Sequence, residues 1–325
     1  MDTNRGAVRP QDLTILIPAF RCARYLEATV RSALRCEGCP ILIVEDCGGD
    51  DTFAVAKRLE AEFPDRVRAR QNPRNLGCPQ NYTESINSIP TKWVMKLDGD
   101  DIIFPGYVAT AMEFLGSHPQ VGLLAGLYER IGADDWLRGE PPEARRLSAG
   151  EVKFAGGCEA VRFIFDGVTG RFFSASMIIS TQVHRDVGGF DPAIRTMHDI
   201  EIWLRVAGVA EVALYPSVAG YYRASPGSVV TRAAAADTWC YENYLVDRSA
   251  WKLWGRERHL RPLLRRRIFR DGLYFVKSAT RCAMRGMPRE AGRRWLSANG
   301  AFYFAAFGLP EARKASGGAG KTGAG

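Results

Sequence analysis

The chain has 325 residues, 46% apolar and 25% charged, an ordinary composition for a folded protein. Its formal charge of +8 is uneven: residues 251–325 hold 17 Lys+Arg against 4 Asp+Glu (+13), and the first 250 hold 27 against 32 (−5). No run of 18 apolar residues exists, which excludes a membrane-spanning helix, and Met1-Asp2-Thr3-Asn4-Arg5 has no apolar core and is not a signal peptide.

Leu13-Thr14-Ile15-Leu16-Ile17 reads as a buried strand ended by Pro18, and residues 24–35 as a helix with Leu26, Val30, Ala33 and Leu34 on one face. Eight cysteines without an export signal read as reduced thiols in the cytoplasm. Cys36-Glu37-Gly38-Cys39 has no second pair, so it reads as a helix end and not as a zinc site. Pro40–Val44 is a second buried strand running into the acidic turn Glu45-Asp46, and a helix with Phe53, Val55, Ala56 and Leu59 follows. Residues 66–70 give a third, more exposed strand, Asn75-Leu76-Gly77 a turn, and a helix runs to about Ser88. Thr91–Met95 is a fourth strand, leading into Lys96-Leu97-Asp98-Gly99-Asp100-Asp101. This β-α alternation predicts an α/β fold with a mostly parallel sheet and helices on both faces.

Parallel strands end on one edge, where ligands of open α/β sheets bind. Pro18-Ala19-Phe20, Glu45-Asp46 and Asp98-Gly99-Asp100 share that edge. Asp98 and Asp100, with Gly99 allowing the bend, can aim at one point and suit Mg²⁺ or Mn²⁺ on a diphosphate; an Asp-x-Asp also occurs as a solvated turn or helix cap. Neither common glycine-rich phosphate loop follows a strand, so metal and basic side chains would have to meet phosphate charge.

Pro105 opens a helix to about Gly116, Val121–Leu124 reads as a strand, and residues 131–150 as a polar insertion. Phe172–Ser180 reads as another strand, Gly188–Pro192 as a turn, and Met197–Val206 as a helix burying Ile202, Trp203 and Val206.

Residues 12–230 resemble the family-two inverting glycosyltransferases, which have the GT-A fold. The resemblance rests on Ile15–Phe20, Val44–Thr52, Asn75-Leu76-Gly77, Leu97–Asp101, Gly188-Gly189-Phe190-Asp191 and His198–Arg205, in order and spacing. It implies a nucleotide-sugar donor, with a UDP-sugar favoured. Asp100 would be the direct metal ligand, and Asp98 would touch the ribose or bind the metal through water. Asp46 with the Pro18-Ala19-Phe20 backbone would hold the base, with Glu45, Asn75, Gly77 and Gly99 completing the nucleotide site. Asp199 would be the general base for an acceptor hydroxyl; on residue chemistry alone it also suits a helix N-terminus.

Two departures stand out. His198 precedes Asp199 where the family has Glu; it would tune Asp199, touch the acceptor or fill space, and Glu201 is a less favoured substitute base. Ser225 stands where the family often has a metal-binding His, which leaves the metal fewer ligands. Arg223 would then carry more diphosphate charge, or be a surface arginine.

From Arg261 to Arg285, Leu264, Ile268, Phe275 and Ala279 share a helical face, and Arg266, Arg267, Arg270, Lys277 and Arg281 fall elsewhere. This basic amphipathic helix either packs on the catalytic domain or contacts anionic lipid, placing the protein at the inner face of the cell membrane. No nucleic-acid motif accompanies the charge. The chain thus divides into a tail (1–11), a GT-A domain (12–230), a basic helical C-terminal extension (231–314) and a flexible end (315–325). The expected function is metal-assisted, inverting sugar transfer to a saccharide or lipid-linked acceptor in cell-surface polysaccharide or glycolipid synthesis. The rivals are an inactive nucleotide-sugar-binding scaffold and a sugar nucleotidyltransferase; the latter lacks its glycine-rich basic loop after the first strand.

Overall fold

The computed structural model describes residues 9–135, 137, 152–165, 174–224 and 239–307. The expected end segment 315–325, Ser225 and most of the 131–150 insertion lie outside these. The chain divides into two compact units, Met1–Leu260 and Arg261–Gly325.

In the first unit, β1 (Leu13–Ala19), β2 (Ile41–Glu45), β3 (Val67–Gln71) and β4 (Trp93–Lys96) form a parallel half-sheet in the order β3-β2-β1-β4. Ala19 pairs with Glu45 and Leu16 with Lys96, so the three strand ends that carry candidate residues lie side by side. Leu13, Ile15, Leu16, Ile17, Ile41 and Ile43 are fully buried, as runs apolar on both faces require. The connecting helices are α1 (Ala23–Leu34), α2 (Thr52–Glu62) and α3 (Cys78–Asn87), within a residue or two of the sequence expectation.

The other half of the sheet is mixed. It holds β5 (Ile102–Ile103), β6 (Val121–Ile131), β7 (Lys153–Ala155), β8 (Ile178–Ser180) and β9 (Glu211–Arg223). β8 runs antiparallel to both β4 and β6, and β9 runs parallel to β6 and antiparallel to β5 and β7. Of the strand expected at 172–180, the described residues form a short 3-10 turn at Ser174–Ser176 and then β8. Helices α4 (Pro105–Ser117), α5 (Gly157–Phe163), α6 (Thr181–Asp186) and α7 (His198–Val206) complete the core fold. On α7, Ile202, Trp203 and Val206 are buried as expected, and the Trp203 indole donates to Met177 Sδ at 3.1 Å.

Helix α8 (Trp239–Trp254) belongs to this first unit, which runs on past residue 230. Its Ser249 hydroxyl donates to Glu201 Oε1 (2.8 Å), and the Trp254 indole donates to the Leu204 carbonyl (3.2 Å). The second unit is a pair of packed helices, α9 (Arg261–Met284) and α10 (Pro288–Phe307). Leu264, Ile268, Phe275 and Ala279 are buried on α9, the face its periodicity marks, and Phe269 packs its ring 5.3 Å from that of Phe302.

Candidate active site

The acidic turn follows β4 directly. The Asp101 amide donates to the Asp98 carbonyl (3.0 Å), closing a tight turn. Gly99 sits against the end of β1: a Cβ there would lie 2.8 Å from Cys22 Sγ and 3.2 Å from the Pro18 carbonyl. Only glycine lets the turn approach the strand edge so closely.

The three carboxylates have different surroundings. Asp98 is partly exposed and is held from below: Lys96 Nζ lies 2.9 Å from Oδ1 and 3.0 Å from Oδ2, and the Tyr82 hydroxyl donates to Oδ1 at 3.1 Å. Asp100 is half-buried. Asp101 is fully buried and accepts the Arg223 amide (2.8 Å). Burial, followed by the charges of Asp100 and Asp98, pushes the Asp101 carboxyl well above the usual range.

Arg223 is not a surface residue; two of its guanidinium nitrogens bond backbone carbonyls, and Nη2 is buried with no partner among the described residues. Nε donates to the Asp100 carbonyl at 2.8 Å, and Nη1 to the carbonyls of Gly132 and Ala133 (3.2 Å each) and of Asp135. The group lies 5.0 Å over the Tyr25 ring and is completely buried. It fastens the acidic turn to residues 132–135, and its burial rules out the surface-arginine reading.

Glu45 and Asp46 are also committed. Glu45 accepts from the amides of Cys47 (3.1 Å) and Gly48 (2.6 Å) and from Gln71 Nε2 (2.8 Å). Asp46 accepts from Asn72 Nδ2 (2.8 Å) and from the amides of Leu76 and Gly77 (2.9 Å each), while Asn75 Nδ2 donates to the Asp46 carbonyl (2.8 Å). The Asp46 amide in turn donates to the Ala19 carbonyl (2.9 Å). Pro18, Ala19, Glu45, Asp46, Asn75 and Gly77 therefore come together, with the two acidic side chains shaping the loops. Phe20 is half-buried, with the Arg21 guanidinium 5.3 Å from its ring.

Tyr82 on α3 connects the acidic turn to α7. Its hydroxyl holds Asp98, and its ring lies 5.3 Å from that of His198, which also packs on Phe190 at 5.4 Å. His198 Nδ1 is 2.9 Å from the Arg195 carbonyl, so this nitrogen carries the proton. Nε2 has no partner among the described residues, and burial lowers the ring's basicity despite Asp199 beside it. Asp199 is half-buried in the first turn of α7, with Oδ1 accepting its neighbour Ile200's amide at 2.8 Å.

Glu201, read as a substitute base, is buried and clasped by Arg205, whose Nε lies 2.9 and 3.0 Å from its two oxygens, and by Ser249. Its lone pairs are committed to a pair that closes the turn of α7 and joins it to α8. Lys96 and Tyr82 were not picked out from sequence. The signal for Lys96 was available: it is the one charge in the otherwise apolar strand Trp93-Val94-Met95-Lys96.

Asp98 and Asp100 supply hard oxygen donors on one turn at the strand edge, which fits a divalent cation such as Mg²⁺ or Mn²⁺. A parallel β3-β2-β1-β4 half-sheet, joined through an acidic turn to a mixed half, defines a GT-A-type transferase fold. Residues 14–174, just under half of the chain, match the family model described as glycosyl transferase family 2, and this stretch belongs to that family.

Structures at low identity show the same fold. S. aureus TarS 1–349 in complex with UDP-GlcNAc matches with a TM-score of 0.66 at 16% identity, over 90% of this chain and 81% of that one. The mannosyltransferase PcManGT from Pyrobaculum calidifontis, in complex with GDP-Man and Mn²⁺, matches with a TM-score of 0.54 at 12% identity, over 95% and 80%. Among sequences, EpsE of Bacillus subtilis (strain 168), provisionally named a glycosyltransferase, is 22% identical over 59% of this chain and 66% of its own, just under two thirds of its length. Chondroitin synthase of Pasteurella multocida (strain Pm70) is 31% identical over 32% of this chain and 11% of its own.

Proposed function

We propose that the protein transfers a sugar, with inversion, from a nucleotide-sugar donor to an acceptor hydroxyl, with Asp199 as general base. The observation that carries this is Tyr82, which holds Asp98 by its hydroxyl and His198 by its ring and so sets the acidic turn beside the start of α7. The UDP-GlcNAc bound to TarS supports a UDP-sugar donor, and the Mn²⁺ in the mannosyltransferase complex supports a divalent ion.

Asp100 and Asp98 would hold that ion, which when bound supplies Lewis-acid neutralisation of the departing diphosphate. The loops fastened by Glu45 and Asp46, with Pro18, Ala19 and Phe20, receive the base. Asn75 and Gly77 close the same side, and Gly99 lets the acidic turn reach it. Asp199 takes the proton from the acceptor hydroxyl as it attacks C1 from the face opposite the diphosphate. His198, neutral because it is buried, packs α7 against Tyr82 and fixes where Asp199 stands.

The acceptor is a saccharide or lipid-linked saccharide of the cell surface; the polysaccharide synthases among the relatives support this class. Contact with anionic lipid through residues 261–285 accompanies it, with the protein on the cytoplasmic side. On α9, Phe269, Leu273 and Tyr274 are exposed beside Arg266, Arg270, Lys277 and Arg281, and its one acid, Asp271, is buried. Among the described residues no helix is long and apolar enough to cross a membrane.

The test is thermal stabilisation by a panel of nucleoside diphosphates with and without Mn²⁺, followed by turnover of the matching nucleotide sugar. The expected result is a shift with UDP that Mn²⁺ enhances, the enhancement being lost in Asp100→Ala, and turnover that is lost in Asp199→Asn. No shift with any diphosphate refutes the donor site. Binding without turnover on any acceptor identifies the scaffold instead.

A further inference from the structure

We propose that Lys96 is a built-in counter-cation of the acidic turn, so that a divalent ion joins the site only together with a nucleoside diphosphate. This rests on the donor-site reading above. Lys96 ends a strand whose four residues are all buried, and its side chain is 3% exposed. A buried ammonium is costly unless its donors are used. Here all three have partners: Asp98 Oδ1 at 2.9 Å, Asp98 Oδ2 at 3.0 Å and Ser174 Oγ at 3.1 Å. The Tyr82 ring lies 4.8 Å beneath the same nitrogen.

The consequence is electrostatic. Asp98 already receives the ammonium on both oxygens and the Tyr82 hydroxyl on one, so its capacity for a metal is reduced. The buried positive charge also repels a dication approaching the same carboxylate. The fixed guanidinium of Arg223, 2.8 Å from the Asp100 carbonyl, adds a second cation to the turn. A site with two fixed cations among three acidic side chains attracts a dication weakly. A diphosphate brings the missing negative charge, and the same two cations then favour its arrival. The nucleotide therefore binds appreciably without metal, and the metal poorly without nucleotide. Lys96 is a positioning residue in this scheme: it holds Asp98 and sets the charge of the turn from behind, without touching the reacting atoms.

The experiment is a titration of full-length protein with Mn²⁺, reading free ion by electron paramagnetic resonance, with and without UDP. UDP binding is measured separately in chelator. Wild type is expected to bind Mn²⁺ alone with a Kd weaker than about 1 mM, and much more tightly once UDP is present. Lys96→Gln frees Asp98 and is expected to tighten Mn²⁺ binding to the nucleotide-free protein by about tenfold or more. Lys96→Arg keeps the charge and is expected to behave as wild type, which a purely structural role for the chain length of lysine would not produce. Tight Mn²⁺ binding to nucleotide-free wild type overturns the proposal, as does a folded Lys96→Gln with unchanged Mn²⁺ affinity. If Lys96→Gln does not fold, the wild-type titrations decide alone: UDP binding in chelator with no Mn²⁺ binding in the absence of UDP supports it, and the reverse order overturns it. Absence of UDP binding under every condition removes the donor site itself, whereas a metal–UDP complex on a site that already binds Mn²⁺ tightly removes only the role of Lys96.

Discussion

Asp46→Ala separates two roles for an acid at the nucleotide edge. If Asp46 acts mainly on the bound base, alanine weakens the ligand and leaves the fold intact. Its hydrogen bonds predict that it acts mainly on the fold. Asp46 is 3% exposed, and its carboxylate accepts the amides of Leu76 and Gly77 at 2.9 Å and the Asn72 side chain at 2.8 Å. Hydrogen bonds to a charged group contribute about 1.5–3 kcal/mol each, and an orphaned amide costs about 1–3 kcal/mol where water does not replace its partner. The loop is near the surface and water enters part of the gap, so the lower end applies: about 3 kcal/mol for the two amides and the Asn72 contact together. Urea unfolding followed by tryptophan fluorescence measures it, with ΔG extrapolated to water and the slope m held as a check on two-state behaviour. UDP affinity is expected to fall as well, because the 72–77 loop loses its anchor. A loss of less than about 1 kcal/mol in stability with UDP binding abolished would refute the argument and return Asp46 to the ligand.

The other expectations are as follows. Asp199→Asn lowers kcat by about 10²–10⁴, as removal of a general base does, while the Kd for UDP with Mn²⁺ stays within about twofold; an equal loss in both assays would make Asp199 a binding residue. Buried His184, with neither ring nitrogen partnered among the described residues, has its basicity pushed down to about 4 from 6.5, chiefly by burial. The unfolded chain therefore binds this proton between those values and the folded one does not, so stability is full above pH 6.5 and falls by about 3 kcal/mol as pH drops to 4. Denaturation midpoints across that window should flatten in His184→Leu, and an unchanged slope would refute this. Gly220→Ala places a Cβ 1.9 Å from the Ile102 carbonyl. It should cost about 2 kcal/mol or more, and should weaken UDP binding by displacing β5 and the acidic turn before it. Vesicles containing anionic lipid should co-sediment the wild type in low salt and lose it in high salt, and Phe269→Asp with Leu273→Asp should abolish binding.

The parallel half-sheet was readable in the sequence because each of its buried strands is a short continuous apolar run bounded by a turn. The mixed half was readable only at β6 and β8. β9 contains Pro216, Ser217 and Gly220 among its apolar residues, and it is a strand because β6, β5 and β7 all pair with it across long separations. Helix α8 carries Glu242 and Asp247 among its buried residues, which blurs its periodicity, and Glu242 is buried because it caps the amides of Thr196 and Met197. The site shows the same division. Asp98 and Asp100 were legible as a pair because one tight turn sets them. The tasks of Asp46 and Arg223 were not, since their partners lie 26–31 and 88–123 residues away. The Glu201–Arg205 pair was legible: Arg205 stands four residues on, the spacing at which helical side chains meet.

A common physical cause links these residues. At this strand edge the sequence holds more acids than a nucleotide site needs, and the fold uses most of them as backbone acceptors. Glu45 and Asp46 satisfy amides in loops that have no regular partners, and Glu201 closes a helix turn. An exposed loop cannot satisfy its amides through a sheet or helix, so a buried carboxylate that gathers several of them gives the loop one conformation. The rigidity this provides is what a donor site requires, since the base and diphosphate must be held while the acceptor oxygen attacks. Asp98, Asp100 and Asp199 differ from the structural acids in one respect visible in the fold: each keeps part of its side chain accessible, whereas Glu45, Asp46, Asp101 and Glu201 are buried. Exposure, set by the tertiary structure and not by the local motif, is therefore the criterion that separates the acids suited to chemistry from those that hold the scaffold.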